Sequence, residues 1–447
     1  MAKTGRRGWI AIARGTDCIR PDSVHPVHTR PIKTYLVGGA VRDRLLGRSH
    51  GDRDWVVVGA TPEQMIARGF KPVGRDFPVF LHPETQEEYA LARTERKHGR
   101  GYRGFEFFAS PDVTLAEDLA RRDLTINAMA RDEHGTLIDP FGGAADLYAG
   151  VLRHVSPAFV EDPLRVLRVA RFAARFDFKV APETARLMRT LVASGELADL
   201  SPERVWQELA RGLMEPHPAR LLDVLRKSGA LRVLLPELDA LYAVKPRTGR
   251  KSADPARLLA RALEYSAKRG FGLPVRYAVL TDRLGDPTTA FAPETGKGRG
   301  AQRHLAVAVA IAERLKVPLD CRDAARLAAR WGRVVPNARA LGAAAVLDLF
   351  AAADALRRPG RLEALLETCE CETMSRPNAP GEFAGAAYLR AALNVVRGVD
   401  AGAIARASSG NLPKVESRAG SHSDAVTSAI RTARLAALRA WMRSRPR

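Results

Sequence analysis

The chain has 447 residues, and 71 lysines and arginines against 50 aspartates and glutamates give it a formal net charge of +21. At roughly 100–200 residues per domain, this length predicts two to four domains. Hydrophobic residues make up 46% of the chain, which is enough to build folded cores and argues against a disordered protein. A positive charge of this size attracts polyanions, so nucleic acid and anionic membrane surfaces are the leading classes of partner.

The cysteine content and the lengths of the apolar segments indicate where in the cell the protein is found. The cysteines of the chain are Cys18, Cys321, Cys369 and Cys371. Their small number and their spacing fit neither a disulfide framework nor a zinc site. The apolar run Trp9–Ala13 is shorter than the hydrophobic region of a signal peptide, and no segment approaches the ~20 apolar residues of a transmembrane helix. We therefore expect reduced thiols and a soluble, cytoplasmic protein.

Residues 1–33 form a basic N-terminal extension. They carry seven basic and two acidic side chains, several prolines and no hydrophobic period. This composition predicts a mobile arm. If translation instead starts further along the chain, the extension has no role.

Residues 34–153 predict a mixed α/β head domain. The β-rich runs Tyr35–Val37, Trp55–Val58 and Tyr89–Ala92 are separated by helical segments and by turn-forming glycine, proline and aspartate. From Asp162 onward, alanine, leucine and arginine recur with a helical period. The predicted helices span 162–176, 181–194, 201–214, 218–229, 254–268, 301–315, 321–331, 340–356 and 427–443.

The fold class that follows is α+β. The α/β head is followed by an all-α neck at 154–242 and by an all-α body and tail at 243–447. Residues 243–254 mark a weak boundary, and residues 283–303 and 405–425 are predicted loops.

A glycine pair follows the first predicted strand. Gly38 and Gly39 come after Leu36-Val37, and a helix is expected to begin near Ala40. Glycine lets the backbone approach an anion, and a helix N-terminus presents free N–H groups to phosphate. The same pair also fits an ordinary tight turn.

Two carboxylates precede the next strand. Asp52 and Asp54 flank Arg53 directly before Trp55–Val58. On a strand, residues i and i+2 share a face, which brings two like charges together unless a cation lies between them. Oxygen ligands at this spacing suit Mg²⁺, and a two-metal site activates a hydroxyl and neutralises a triphosphate leaving group. The alternative is a pair of solvated acids in a turn.

Together, the glycine pair and the two aspartates resemble the nucleotidyltransferase domain of the polymerase-β type. Four further runs make the resemblance specific to one family within this type. They are Gly74–Phe80, Glu88–Glu95, Arg121–Ala128 and Glu161–Phe172. With these runs, the sequence resembles the bacterial CCA-adding enzymes, which are class II tRNA nucleotidyltransferases. The match is ordered and nearly continuous from about residue 34 to residue 240.

The resemblance implies an activity and its site. In this family the two aspartates bind Mg²⁺, so Asp52 and Asp54 are the expected catalytic and metal-binding residues. The implied nucleotide-binding residues are Gly39, Arg42, Arg122, Asp123, Asn127, Asp162, Arg165, Arg168 and Arg171. Asp162 and Arg165 would replace a template by hydrogen bonding to the Watson–Crick edge of CTP or ATP. The implied reaction transfers CMP, CMP and AMP in turn to the 3′ end of tRNA and releases pyrophosphate.

A row of arginines has two interpretations. The row consists of Arg165, Arg168, Arg171 and Arg175, which recur at helical spacing. It can bind a nucleotide, or it can be a solvated face while Leu164, Leu167 and Ala174 face the core.

Some of the other residues that the resemblance assigns to the site can also be explained without a role in binding. Asp162 before Pro163 is a helix N-cap pattern. Arg122 and Asp123 could form a surface ion pair. The basic, glycine-rich residues 94–104 could be a mobile loop near the substrate or an ordinary hairpin loop.

Many proteobacterial members of this family carry a His-Asp metal phosphohydrolase domain after the neck. Here Thr281 stands in place of the motif histidine before Asp282, and His304 is the only histidine between His217 and His422. Such a metal site needs several imidazoles. We therefore expect the helical domain to be retained and its phosphohydrolase activity to be lost.

The C-terminal residues 401–447 carry nine basic and two acidic side chains. They either hold the tRNA backbone or form a solvated helical face. Glu88 and Glu95 are candidates for a further metal ligand. The rival functions are those of a bacterial poly(A) polymerase, a non-catalytic RNA-binding protein and a small-molecule nucleotidyltransferase.

Overall fold

The computed structural model describes residues 31–49, 51–73, 79–97, 105–244, 254–282, 284, 299–410 and 419–444. Several predictions concern residues outside these ranges. They are residues 1–30 of the predicted arm, which include Cys18, most of the run Gly74–Phe80, and residues 98–104 of the predicted loop. The two predictions are wrong at their described ends, because Lys33 begins the first strand and residues 94–97 of the predicted loop belong to the strand Arg93–Lys97.

The head is built on a twisted sheet. The strands described in it are β1 (Lys33–Val37), β2 (Asp54–Val58), β3 (Lys71–Val73), β4 (Val79–Leu81), β5 (Glu88–Leu91), β6 (Arg93–Lys97), β7 (Phe105–Ala109), β8 (Ala130–Arg131) and β9 (Leu137–Ile138). Within the described residues, one sheet has the order β3-β4-β5-β2-β1-β8-β9. In it β2 and β5 run parallel and the other neighbours are antiparallel, while β6 and β7 pair as a separate antiparallel ribbon.

The central strand β2 is apolar without alternation because both of its faces are covered. Val56 packs in one cluster with Leu119, and Val57 packs on the opposite side with Met65 and Phe80. Neighbouring residues of a strand point to opposite faces, so a strand buried on both sides needs a continuous apolar run. Helices α1 (Gly39–Leu45), α2 (Pro62–Ala67), α3 (Leu115–Ala120) and α4 (Gly143–Ala149) complete the head.

The rest of the chain is mostly helical, as predicted. Its helices are α5 (Leu164–Phe176), α6 (Pro182–Ala193), α7 (Pro202–Met214), α8 (Pro218–Ser228), α9 (Ala230–Leu234), α10 (Pro236–Leu241), α11 (Pro255–Lys268), α12 (Leu273–Thr281), α13 (Arg299–Arg314), α14 (Leu319–Trp331), α15 (Ala343–Ala352), α16 (Pro359–Met374), α17 (Ala384–Arg397), α18 (Ala401–Gly410) and α19 (Ala419–Arg443). The prediction of an all-α neck missed one short strand, β11 (Lys179–Val180), which pairs in parallel with β10 (Val151–Leu152).

Two predicted loops are partly helical. Helix α13 begins inside the predicted loop 283–303, and α18 and α19 occupy the described part of 405–425. The glycines and serines near the end of α18 indicated a loop, but α18 packs against α19. Tertiary packing of this kind overrides weak local helix propensity.

Helix α5 packs in the hydrophobic cluster that joins the head to the neck and the first part of the body. One hydrophobic cluster runs from Leu36 and Val41 of the head, through Phe172 of α5, to Leu280 of α12. A second cluster fills the body and tail and includes Leu438 of α19. The prediction that Leu164, Leu167 and Ala174 face the core is confirmed, because all three are buried.

Two further predictions concern the thiols and membranes. Cys321, Cys369 and Cys371 are free and buried, and burial raises the pKa of Cys321 to about 12. Among the described helices, none has the length and apolar character needed to cross a bilayer.

Candidate active site

The glycine pair forms a sharp turn between β1 and α1. Gly38 has φ 66°, a left-handed conformation that L side chains rarely adopt, and its N–H donates to the carbonyl of Met129 at 3.2 Å. A Cβ atom at Gly38 would lie 2.9 Å from Nη1 of Arg122. The turn therefore needs glycine both for its backbone and for the close approach of an arginine.

Two carboxylates meet at the start of the parallel strands β2 and β5. Asp54 is the first residue of β2, and its partner in register on β5 is Glu88. Partial burial and the Glu88 carboxylate raise the pKa of Asp54, while Arg122 lowers it. Two carboxylates brought together in this way are stabilised by a cation between them.

The predicted strand-face geometry of Asp52 and Asp54 is wrong. Strand β2 begins at Asp54, and Asp52 lies exposed in the bend before it. Asp52 is still near enough to contribute to the raised pKa of Asp54. The cross-strand neighbour Glu88, which the sequence offered only as a candidate further ligand, is thus the carboxylate in register with Asp54.

The oxygen-only donor set fits a divalent cation. Among the residues that the structure describes, no three histidine, cysteine or acidic side chains converge into a complete metal cage. Mg²⁺ is commonly held by one or two carboxylates, with substrate phosphates and water supplying its other ligands. The pair of Asp54 and Glu88 is compatible with such partial ligation.

Arg122 faces these carboxylates across the cavity. It donates to Oδ2 of Asp118 at 3.2 Å and to the carbonyl of Asn127 at 3.4 Å. Asp118 is fully buried and also pairs with Arg121 at 2.8 Å. Burial alone would raise the pKa of Asp118, but the two arginines outweigh it and lower that pKa.

Asp123 pairs with an arginine 45 residues away, so the predicted Arg122–Asp123 surface ion pair is wrong. Nε of Arg168 donates to Oδ2 of Asp123 at 2.7 Å, and Nδ2 of Asn127 donates to Oδ1 at 3.0 Å. Asp123 is 5% exposed. Burial opposes its charge, but Arg168 and Asn127 stabilise the carboxylate and lower its pKa to about 2.

Arg42 joins the head to helix α5. Its guanidinium donates to Oδ1 of Asp43 at 2.8 Å and to the side-chain oxygen of Asn127. Oδ2 of Asp43 accepts from Arg175 of α5 at 2.9 Å. The guanidinium also lies over the Phe176 ring, 4.9 Å from its centroid. Arg42 is therefore held in place from several sides.

The arginines of α5 are held by specific partners, so the solvated-face interpretation of this row is wrong for its buried members. Arg165 donates to the carbonyls of Ala158 at 2.9 Å and Arg121 at 2.6 Å. Nε of Arg171 donates to Oε2 of Glu208 at 2.7 Å, and both side chains are buried.

The Asp162 carboxylate accepts hydrogen bonds from two partners. One carboxylate oxygen accepts from the backbone N–H of Leu164 at 3.0 Å, which is the capping contact that the sequence allowed. The other accepts from Arg204 of α7 at 3.3 Å. The capping contact and a position at the cavity are therefore compatible.

These groups surround one cavity of about 610 Å³ between the head and the neck. Every residue of the predicted nucleotide-binding set lines it, together with Asp54 and Glu88, whereas Asp52 does not. Its volume lies within the ~300–1,000 Å³ typical of small-molecule sites. One wall is acidic and the other is rich in arginine, so the cavity can hold a cation beside a polyphosphate.

Sequence reasoning missed several partners of these residues. They are Asp43, Asp118, Arg204 and Glu208. Glu208 had a detectable signal, because it lies on the same face of the amphipathic α7 as Val205 and Gly212, both of which are buried. An acid on an apolar face is buried only when it is paired.

Two family models match the chain. Residues 34–153 match the poly A polymerase head domain, and residues 177–242 match the probable RNA and SrmB-binding site of polymerase A. Among solved structures, the chain is similar to the Bacillus stearothermophilus CCA-adding enzyme in complex with CTP, with a TM-score of 0.62 and 26% identity over 90% of this chain and 88% of that one.

Curated relatives match most of the chain. The multifunctional CCA protein of Azoarcus sp. (strain BH72) is 57% identical over 84% of this chain and 92% of its own length. The multifunctional CCA protein of Nitrosomonas europaea is 53% identical over 84% of this chain and 91% of its own length. This chain therefore belongs to the family of multifunctional CCA proteins.

Proposed function

We propose that this protein adds the terminal C, C and A nucleotides to the 3′ end of tRNA from CTP and ATP, with release of pyrophosphate. The observation that carries this proposal is the single cavity in which an acidic edge at Asp54 and Glu88 faces the arginines of α1 and α5. Membership of the CCA family supports tRNA as the acceptor.

The acidic edge would hold the metal, for which we propose Mg²⁺. Asp54 and Glu88 are in register, and Asp52 lies in the preceding bend, so these three carboxylates are the proposed ligands. When bound, a divalent cation of this kind lowers the pKa of an attacking hydroxyl and neutralises charge on a leaving pyrophosphate.

The arginine wall would bind the triphosphate. Arg42, Arg122 and Arg168 line the cavity with guanidinium groups that are oriented by buried acids. Arginine binds phosphate oxygens in a bidentate way, and fixed partners reduce the side-chain entropy that binding would otherwise cost. These residues would therefore position the α-phosphate for in-line attack.

Asp162 and Arg165 would select the base. Arg165 uses two of its five N–H groups on backbone carbonyls, which leaves donors for a base edge. Each Asp162 oxygen can accept a further hydrogen bond beside its contact to Leu164 or Arg204. A bidentate match to cytosine or adenine gives roughly 1–3 kcal/mol of discrimination against another base.

The test is incubation of a 3′-truncated tRNA with labelled CTP and ATP. We expect two C residues and one A residue per tRNA, with no tract of A. A long A tract made without CTP would instead identify a poly(A) polymerase. No incorporation by a folded protein that still binds tRNA would identify a non-catalytic RNA-binding protein.

We propose that the body has no metal phosphohydrolase activity. The Thr281 hydroxyl is buried and donates to the carbonyl of Tyr277 at 3.0 Å. The His304 ring lies 2.7 Å from a guanidinium nitrogen of Arg333, a cation that opposes a metal at this nitrogen. The test is phosphate release from 2′,3′-cyclic nucleotides with Ni²⁺ or Mg²⁺, and metal-dependent release would contradict the proposal.

A further inference from the structure

The turn between α7 and α8 carries a partly buried acid next to the cavity between head and neck. Glu215 directly follows α7, and its carboxylate lies 3.9 Å from Nη1 of Arg171. The side chain of Glu215 is 18% exposed and does not line the cavity. Glu215 therefore contacts an arginine of the cavity wall without itself forming part of that wall.

The end of α7 is an unfavourable place for an acid. Glu215 is the C-cap residue of this helix, where the last carbonyl groups and the helix dipole give a partial negative charge. A carboxylate is repelled there, and its partial burial also removes water that would solvate the charge. The charge of Glu215 needs compensation, and the ion pair with Arg171 supplies it from α5.

The backbone around Glu215 is fixed from two sides. Arg276 of α12 is buried and donates to the carbonyls of Leu213 at 2.8 Å and Glu215 at 3.1 Å. On the other side, the N–H of His217 donates to the carbonyl of Ala174 of α5 at 2.9 Å. Arg276 belongs to the body, which thereby helps to hold the Glu215 carboxylate beside α5.

The arginines near Glu215 need its charge in return. Burial raises the pKa of Glu215, and three arginines of the cavity wall oppose this rise, namely Arg175, Arg171 and Arg42. Arg42 and Arg175 share one other acid, Asp43, at 2.8 Å and 2.9 Å. Burial lowers the pKa of Arg42, and repulsion by Arg175 lowers it further against the attraction of Asp43. Loss of the Glu215 charge would leave this repulsion less well compensated.

We propose that Glu215 is a positioning residue for nucleotidyl transfer, whose carboxylate fixes where Arg171 and Arg175 meet the incoming triphosphate. This inference rests on the proposed function, because it adds a residue to the same site. Both arginines line the cavity, and Glu215 acts through them. Displacement of the groups that orient a substrate lowers the rate of the chemical step more than the affinity. Glu215 should therefore affect kcat more than KM.

The test is Glu215→Gln, which keeps the shape of the side chain and removes its charge. We expect kcat for CMP incorporation to fall about tenfold, because the guanidinium groups lose their fixed positions. The KM for CTP should not rise, because the wall gains net positive charge and attracts the triphosphate at least as strongly. A normal kcat, with or without a higher KM for CTP, would overturn the proposal.

Glu215→Asp tests whether the charge is what positions the arginines. It retains the carboxylate but draws it back by about 1.5 Å, the length of one carbon–carbon bond. The kcat should lie between the values for the unaltered protein and for Glu215→Gln. An acid with only a structural role would change the melting temperature and leave kcat of the folded protein unchanged. If Glu215→Asp is as slow as Glu215→Gln, the proposal is wrong.

Asp199→Asn is the matched control. It also removes one negative charge from the neck, but Asp199 is exposed, lies outside the cavity and has no ion pair among the described residues. Its kcat and its KM for CTP should equal those of the unaltered protein. An equal loss of kcat in Asp199→Asn would mean that the net charge of the neck, rather than the position of Glu215, controls the rate, and would overturn the proposal.

The proposed function and the role of Glu215 fail in different ways. If the unaltered protein completes CCA ends and Glu215→Gln keeps its kcat, the positioning role is wrong and the proposed function stands. If the unaltered protein adds no nucleotides, the proposed function itself is wrong, and the positioning role is wrong with it.

Discussion

The buried arginines of α5 and the exposed arginines of α19 have opposite environments. Arg165 and Arg171 of α5 are buried, and each guanidinium is held by carbonyl or carboxylate oxygens at 2.6–2.9 Å. Arg439 and Arg443 of α19 are exposed, and the ion pair of Arg431 with Asp348 is about half exposed on both sides. Fixed arginines can place a phosphate or a base precisely enough for chemistry, whereas exposed arginines supply attraction. We therefore expect cavity substitutions to change kcat and α19 substitutions to change only tRNA binding.

The largest effect is expected from Asp54→Asn. This change removes one of the two paired carboxylates at the acidic edge, and a metal contributes several kcal/mol to such a reaction. We expect kcat for CTP incorporation to fall by about 10³-fold, which corresponds to about 4 kcal/mol. The measurement is single-turnover incorporation into 3′-truncated tRNA. Glu133→Gln, at an exposed acid of the same domain, should leave the rate unchanged.

Asp54→Asn also distinguishes chemistry from binding. The KM for tRNA should change little, because Asp54 carries no positive charge with which to bind tRNA phosphates. A loss of tRNA affinity with a normal kcat would contradict the assignment of the acidic edge as the catalytic centre.

A large change in stability is expected from Arg171→Met. The substitution leaves Glu208, which is 4% exposed, without its 2.7 Å partner. Breaking one side of a buried ion pair costs about 3–5 kcal/mol, and we expect the lower end because Arg168 remains 4.0 Å away. The measurement is the free energy of unfolding in urea.

The double variant Arg171→Met, Glu208→Leu is the matched control for the buried charge. It replaces both members with apolar side chains, so most of the lost stability should return. Activity should not return, since Arg171 lines the cavity. A double variant as unstable as the single one would mean that packing of α5, rather than an unpaired acid, explains the loss.

A pH effect is expected from the pair of Asp123 and Arg168. The pKa of Asp123 is lowered from 3.8 to about 2 in the folded protein, so this pair stabilises the fold above the unfolded pKa. That stabilisation, about 2 kcal/mol, is lost as the pH falls from near 4 through about 2. The free-energy difference between the unaltered protein and Asp123→Asn should therefore shrink by about 1 kcal/mol between pH 7 and pH 3.

Asp199→Asn is the control for this titration, because Asp199 is exposed and has no comparable ion pair among the described residues. A constant difference for Asp123→Asn would show that its ion pair does not stabilise the charged form.

The short motifs of the site could be predicted from sequence, but their partners could not. Gly39, Arg42, Asp123 and Asn127 stand in contiguous runs that specify residue types at fixed spacing. Arg168 pairs with Asp123 across 45 residues, and nothing local indicates which acid it meets. The strand-face argument for Asp52 and Asp54 also failed, because strand boundaries are poorly defined by sequence.

The helical period identified many of the helices that leave one polar face, but it missed α17, which is also amphipathic. Helix α7 has buried residues along one side and was identified from its period. Helix α12 was missed because Val275–Thr281 is buried on every side, which removes the period that sequence analysis detects. The fold class could be predicted from the strong helical periods alone. A helix that is buried on every side could not, because tertiary contacts rather than a sequence period define it.

The smallest effect is expected from Arg431→Gln on α19. Its half-exposed ion pair with Asp348 should contribute under about 0.5 kcal/mol to stability. If Arg431 also meets tRNA phosphate, the KM for tRNA rises about threefold with kcat unchanged. Asp348→Asn separates the two roles: it should lower that KM by freeing the guanidinium, whereas a purely structural ion pair makes both substitutions equivalent. A fall in kcat for Arg431→Gln would contradict the distinction between α5 and α19, because an exposed arginine would then act in the chemistry.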